Sequence, residues 1–319
     1  MSKGYISVSL TSNGKAQPIQ NATAIITDSV TNRVMASLSI SDSGSGKFPT
    51  VSVDAPGIAL SLSPETSTLP YAICNVTVSA PGYYGVTVRG VQVFAERTAV
   101  LSADILALPS SSQSSPSAVV DIPTHQLFAP EVNCCQEYDN RGRILSRVVI
   151  PENVTVHLGR PAEAARNVTV SFTDYIKNVC CSEIYATWPV EALKANIYAQ
   201  ISLVLNRIYT EWYRSRGYPY DITNSTAYDQ YFVYGRSIEK NVSDLVDEIF
   251  TGYVRKKGTV NPYYTEYCDG LSVTCPGMKQ WGSLSLAQNG YSALQILQYY
   301  YGSDIEIVNA EVVAGVPTS

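Results

Sequence analysis

Apolar and polar positions alternate along the first hundred residues. Ile6, Val8 and Leu10 form one such run, and Ala22, Ala24 and Ile26 the next. Cys74, Val76 and Val78 continue the pattern, as do Val86 with Val88 and Val91 with Val93. A period of two sends successive side chains to opposite faces, so each run predicts a strand with one buried face. Turn-forming residues punctuate the runs at Asn13-Gly14, Asp42-Ser43-Gly44, Ala55-Pro56-Gly57 and Ala80-Pro81-Gly82. About seven short strands in about 105 residues predict an all-β sandwich over 1–108. The Ser-rich stretch 109–118, with prolines at 109 and 116, reads as a polar linker.

Beyond the linker, over 119–319, the period changes. Short strands are expected near 148–150, 154–157 and 168–172. Thr173 is then a candidate N-cap, with Asp174 in the first turn. Phe172, Ile176, Val179 with Cys180, and Glu183 follow at helical spacing on one face. A second helix is expected to start at Trp188-Pro189, with the proline at its first position. Val190, Leu193, Ile197, Ile201, Val204, Leu205, Ile208 and Trp212 keep a three-four spacing, the strongest periodic signal in the chain. Gly217 marks its exit. Two more helices are expected over 238–254 and 291–300. The fold class predicted is multidomain α+β: an all-β sandwich, then a mixed α+β domain around a long central helix.

Composition narrows the chemistry. A net charge of −5 offers no basic face, so nucleic acid is not an expected partner. No apolar run is long enough for a membrane-spanning helix. Residues 1–10 lack the basic and continuous apolar segments of a signal peptide, so none is expected. Two histidines, His125 and His157, are too few and too far apart for a multi-histidine metal site or a histidine-based triad. Of the seven cysteines, Cys134-Cys135 and Cys180-Cys181 are vicinal pairs. Buried, reduced thiols are the expectation, with a bridge or a metal as the alternatives, and the spacing of Cys268 and Cys275 allows a loop-closing disulfide.

One carboxyl stands out. Glu183 shares the apolar stripe of its helix, so its carboxyl should lean into surroundings that disfavour charge and raise its pKa. A carboxyl that keeps its proton near neutral pH can act as a general acid. The competing reading has the helix finished before Glu183, leaving it solvated or paired with a residue such as Arg207.

The segment Asp174-Tyr-Ile-Lys-Asn-Val-Cys-Cys-Ser-Glu183, continuing through Trp188-Pro-Val-Glu-Ala-Leu193-Lys194-Ala195, resembles the core of the SpoIID/LytB family. Downstream, Gly277-Met-Lys-Gln280-Trp281-Gly282 and Ala287-Gln-Asn-Gly290-Tyr291 resemble that family's closing segment, and Tyr264-Thr-Glu-Tyr-Cys-Asp269-Gly sits where the family has a Tyr-His-Ser strand. The resemblance covers about 168–305, and clostridial spore cortex-lytic enzymes are similar in joining a β-module to this domain. The N-terminal module resembles carboxypeptidase-regulatory-like sandwiches, through Pro18-Ile-Gln-Asn-Ala22 and Asn75-Val-Thr-Val-Ser-Ala-Pro-Gly-Tyr83.

The resemblance implies a lytic transglycosylase that cleaves peptidoglycan glycan strands, with Glu183 as the single general acid and base. It implies substrate contacts from Trp188, Lys194, Tyr228, Gln230, Asp269, Gln280 and Trp281. Asp229, Glu266 and Asp269 are the candidates for a second carboxylate, which hydrolysis would require. Tyr185, Tyr228, Tyr231, Tyr234, Tyr263, Tyr264 and Tyr267 could stack on sugar faces. The family's Cys- and His-bearing metal-like segment corresponds to 222–231, where Gln230 is kept and the Cys and His are not, so neither zinc nor any cofactor is expected. The implied location is the cell envelope, spore cortex or coat, or outside the cell. The expected partner is the glycan itself, with an activating protease or partner protein left open. Two other readings remain: a non-enzymatic wall-binding or coat protein that keeps the fold, and a wall-opening component of a phage-tail-like apparatus.

Overall fold

The computed structural model describes residues 2–12, 19, 21–41, 46–109, 117–130 and 144–314. The expected turns at Asn13-Gly14 and Asp42-Ser43-Gly44, most of the 109–118 linker and the Cys134-Cys135 pair lie outside the described residues. The chain divides into two compact units. One comprises Met1–Thr124 with Val233–Asn241, and the other His125–Phe232 with Val242–Ser319.

In chain order the first strands are β1 (Ser2–Thr11), β2 (Ala22–Asp28), β3 (Val34–Ile40), β4 (Val51–Ala55), β5 (Ala72–Ser79), β6 (Val86–Val93), β7 (Thr98–Asp104) and β8 (Ala118–Asp121). Then follow β9 (Val149–Pro151), β10 (Asn153–His157), β11 (Asn167–Ser171), α1 (Phe172–Glu183), α2 (Val190–Tyr209), β12 (Ile222–Thr223), β13 (Ile238–Glu239) and α3 (Lys240–Ile249). The chain continues with β14 (Gly252–Lys256), β15 (Tyr267–Cys268), β16 (Met278–Lys279), α4 (Gln280–Gln288), α5 (Ala293–Tyr301), β17 (Ile305–Asn309) and β18 (Glu311–Val313). The mixed α+β class read from the sequence is the class observed.

The first unit holds two sheets, ordered β3-β2-β5-β6-β8 and β13-β7-β1-β4. The alternation decides which face is buried. Ile6, Val8 and Leu10 of β1 and Ala22, Ala24 and Ile26 of β2 are all almost fully buried, as a sheet with one core face requires. The strand β8 follows the expected linker yet pairs in parallel with β6, from Val86 opposite Ala118 to Arg89 opposite Asp121.

The second unit is built around α2. Its side chains are buried along nearly its whole length, so the helix is a core element rather than a half-exposed one. It ends at Tyr209, one turn short of Trp212, with the carbonyl of Asn206 bonded to the Thr210 amide and hydroxyl. Helix α1 starts two residues earlier than expected. Ser171, not Thr173, is its N-cap, accepting at 3.1 Å from the Asp174 amide. The third expected helix stops at Ile249, and the apolar run that seemed to extend it is strand β14, paired antiparallel with β17. Helix α4 had no counterpart in the sequence reading. Helix α5 carries a full capping box, Ser292 with Gln295.

Near the site, β15 and β16 run parallel, Tyr267 opposite Met278 and Cys268 opposite Lys279. The expectation of reduced thiols is corrected here. Cys268 and Cys275 form a disulfide with Cα atoms 6.1 Å apart, because the short pairing folds the intervening loop back on itself. Gly277 enters this pair so closely that a Cβ would collide with the Glu266 carbonyl oxygen. The buried thiols Cys180 and Cys181 match the sequence expectation.

Candidate active site

Glu183 is the last residue of α1, and Ile184 closes the helix by donating its amide to the Cys180 carbonyl. The helix therefore reaches Glu183, contrary to the reading that it has already ended. The residue is buried, only 3% exposed. Three groups donate to it. The Tyr231 amide reaches Oε1 at 2.8 Å, the Tyr267 hydroxyl reaches Oε2 at 2.5 Å, and the Gln200 Nε2 reaches Oε2 at 3.0 Å.

All three donors are neutral. Burial pushes the Glu183 pKa up to about 7, and the bonds from Tyr231, Tyr267 and Gln200 pull it back only in part. Its position at the C-terminal end of α1 works in the same direction as burial, because the negative end of a helix disfavours a carboxylate. A carboxyl poised near neutrality can both give and take a proton at working pH, the property a single-residue acid and base needs.

Arg207, the partner considered for Glu183, is committed elsewhere. Its Nε donates to Asp229 Oδ1 at 2.8 Å, with both side chains essentially without solvent contact. The Tyr213 hydroxyl, the Thr223 amide and the Thr223 hydroxyl all donate to Asp229 Oδ2 at 2.6, 2.9 and 2.7 Å. This clamp folds 222–232 into the loop that presents the Tyr231 amide to Glu183. It also occupies Asp229, one of the candidates for a second carboxylate.

Gln230, expected at the substrate, is instead wholly buried with its amide engaged by the protein. Its Oε1 accepts from the Tyr175 hydroxyl at 2.9 Å, and its Nε2 donates to the Gln200 carbonyl at 3.1 Å and the Tyr267 oxygen at 3.0 Å. Asp269 caps a turn, its carboxyl accepting from the amides of Leu271, Ser272 and Val273. Lys194 forms a surface ion pair with Glu248 at 3.3 Å. Trp188 and Trp281 are buried against each other with ring centroids 5.1 Å apart, and both meet Tyr185 edge-on. Gln280 opens α4 and is buried. Tyr228 is half-buried beside a cavity of about 680 Å³ whose other walls are 160–163.

Glu266 lines a cleft of about 450 Å³ walled by Tyr263, Tyr264, Tyr300 and Tyr301. Partial burial raises its pKa against the pull of Lys279. Among the described residues no group of three or more His, Cys, Asp or Glu could hold a metal ion. The 222–231 segment puts Asp229 on a guanidinium and Gln230 on two phenols, a donor set that does not fit zinc.

Tyr175 and Gln200 stand outside the residues singled out from the sequence, and Arg207 is weighed there only as a partner for Glu183. For Gln200 and Arg207 the signal is a polar stripe inside the otherwise apolar α2. Asn196, Gln200 and Arg207 fall at i, i+4 and i+11 of α2, and all three are buried. A buried polar residue needs partners, so such a stripe marks the face that carries chemistry or a network.

A search of curated proteins finds no match. Among solved structures, the Bacillus anthracis TIE protein is 18% identical, with 34% of this chain and 17% of that one covered and a TM-score of 0.23. GBS52, the minor pilin of Streptococcus agalactiae, is 11% identical over 36% of this chain and 49% of that one, at a TM-score of 0.22. A protein of unknown function from Bacteroides fragilis is 22% identical over 34% and 29%, at 0.19. These scores are too low to bear an argument about fold, and the chain spans less than two thirds of each structure. The site segment itself is matched by a family model. Residues 163–251, which hold Glu183, Gln200, Arg207, Asp229 and Gln230, match the model described as "SpoIID: Stage II sporulation protein", consistent with a SpoIID-family domain over this part of the chain.

Proposed function

We propose that the second unit cleaves peptidoglycan glycan strands as a lytic transglycosylase, with Glu183 as the one general acid and base. The domain's family ties it to sporulation and the cell wall. The observation that carries the finer reading is the state of Glu183: a buried carboxyl with three neutral donors and a pKa pushed up to about 7.

In this mechanism protonated Glu183 gives its proton to the glycosidic oxygen after N-acetylmuramic acid, and the C1–O bond breaks. The resulting carboxylate takes the proton of the sugar's own 6-hydroxyl as that oxygen attacks C1. The product is a 1,6-anhydro end, and Glu183 is again protonated. No water and no second carboxylate are consumed. The engagement of Asp229 by Arg207 and of Asp269 by its turn supports this one-carboxyl route over hydrolysis. Glu266 is the remaining candidate for the second carboxylate.

A second reading, a wall-binding protein without turnover, is favoured by one observation: Glu183 exposes only 3% of its surface, so a glycosidic oxygen has a narrow approach. Mass spectrometry of muropeptides after incubation with purified spore cortex and vegetative sacculi separates these readings. Anhydro ends support transglycosylation, reducing ends indicate hydrolysis with Glu266 as first suspect, and retention on sacculi without products indicates binding alone.

A further inference from the structure

The hydrogen bonds around Glu183 have a direction, and the direction can be traced from its far end. The Tyr175 hydroxyl has the Gln230 oxygen as its acceptor at 2.9 Å. The opposite end of the Gln230 amide fixes its orientation, because Nε2 faces the Gln200 carbonyl, which can only accept, at 3.1 Å. The same Nε2 donates to the Tyr267 oxygen at 3.0 Å. With that oxygen already accepting, the Tyr267 proton is directed to Glu183 Oε2 at 2.5 Å.

Oε2 thus receives two protons that belong to other groups, from Tyr267 and from Gln200 Nε2. A carboxyl oxygen has two lone pairs, and both on Oε2 are taken. Oε1 receives one donor only, the Tyr231 amide at 2.8 Å. We propose that Gln230 is a positioning residue that holds Tyr267 as a fixed donor to Glu183 Oε2, so that Oε1 is the oxygen that carries and transfers the catalytic proton. This rests on the reading of Glu183 as the general acid. When the Oε1–H bond breaks and the glycosidic oxygen takes the proton, the negative charge left behind is met at Oε2 by two donors already in place. They need no rearrangement at that moment, which is what makes such donors effective.

The ionisable groups facing Glu183 are consistent with this. On its own helix stands the Tyr175 phenol and across from it the Tyr267 phenol, both pushed well above the ordinary phenol range, first by burial. Both are therefore neutral donors at any working pH. Beyond Tyr175 lies Asp229, with its charge matched by Arg207 of α2.

The test is the protonation midpoint of Glu183 in the full chain, followed by the infrared carbonyl stretch of its protonated carboxyl and assigned by the loss of that band in Glu183→Gln. Tyr267→Phe removes a donor that favours the charged form, so the midpoint should rise by roughly one pH unit, and the alkaline limb of any cleavage profile, where the general acid loses its proton, should move up with it. Gln230→Leu should raise it less, and should add nothing further in the Tyr267→Phe background, because it acts through Tyr267. If Gln230→Leu does not fold, Tyr175→Phe serves in its place with the same expected sign. An unchanged or lowered midpoint in Tyr267→Phe overturns the proposal. So does an undiminished Gln230 effect in the absence of the Tyr267 hydroxyl. If the midpoints move as stated while the wild type makes no muropeptide products, the relay stands and the glycan-cleaving reading falls. If the wild type cleaves and the midpoints do not move, the relay alone falls.

Discussion

Two carboxyls of the second unit are withdrawn from water, and their neighbours make them different chemical objects. Asp229 meets a guanidinium, a phenol, a hydroxyl and an amide. Glu183 meets a phenol, a carboxamide and an amide. The number of donors is similar, and the difference is one cation. A buried charge paired with a buried opposite charge is a structural fixture that is costly to break. A buried carboxyl with neutral donors alone titrates near pH 7. The same loop serves both, since Asp229 anchors it and Tyr231, two residues on, presents its amide to Glu183.

The strongest way to break the comparison is to remove each carboxyl's function in turn. Glu183→Gln keeps the size and polarity of the side chain and deletes the transferable proton. Glycan cleavage should fall about 10²–10⁴-fold with the fold retained, as read by muropeptide yield beside circular dichroism. Asp229→Asn should do the reverse. It leaves the Arg207 guanidinium buried without its counter-charge, and thermal or urea unfolding should show a loss of about 3–5 kcal/mol.

The sharpest sign test concerns pH. The Glu183 pKa is raised on folding from an ordinary 4.5 to about 7, so between those values the folded state binds more protons than the unfolded one. Stability from this group is therefore fully present below about pH 4.5 and declines as pH rises through about 7. A shift of that size corresponds to at most about 3 kcal/mol. Melting temperature followed from pH 4.5 to 8 should decline more steeply in the wild type than in Glu183→Gln, and the variant should be the more stable protein at pH 8. Equal slopes would mean that Glu183 is no more proton-avid folded than unfolded. The smallest effect lies at the edge of the site. Replacing Cys268 and Cys275 with serine opens a short loop and should cost about 2 kcal/mol, with little change in the Glu183 midpoint because Tyr267 is also held by its pairing with Met278.

The sequence made the strands of the first unit and the central helix legible because both are written in periodicity. Period-two runs with turn residues between them announced the first unit's strands, and the three-four spacing from Val190 to Ile208 announced α2. The places where the reading failed have local reasons. Val254 keeps helical spacing with Val246 and Ile249, yet the chain turns into a strand at Gly252, because β17 offers a pairing partner that no local pattern reveals. Helix α4 hid because Gly282 interrupts its apolar spacing and serines occupy its face. Glu183 was legible from its stripe. Its partners were not, because Tyr267 lies 84 residues away and reaches it only through tertiary folding. Gln230, expected to face the sugar, faces two phenols that tertiary folding brings to it.

Glu183 is buried among neutral donors without a cation, and its proton near neutral pH is the property on which its role as acid and base depends. Carboxyl-labelled glutamate, followed by ¹³C NMR across pH and assigned by comparison with Glu183→Gln, reads that property in the intact protein without relying on turnover. The prediction is one glutamate resonance with a midpoint of about 7 that vanishes in the variant. A Glu183 resonance titrating at the ordinary 4.5 would contradict the claim.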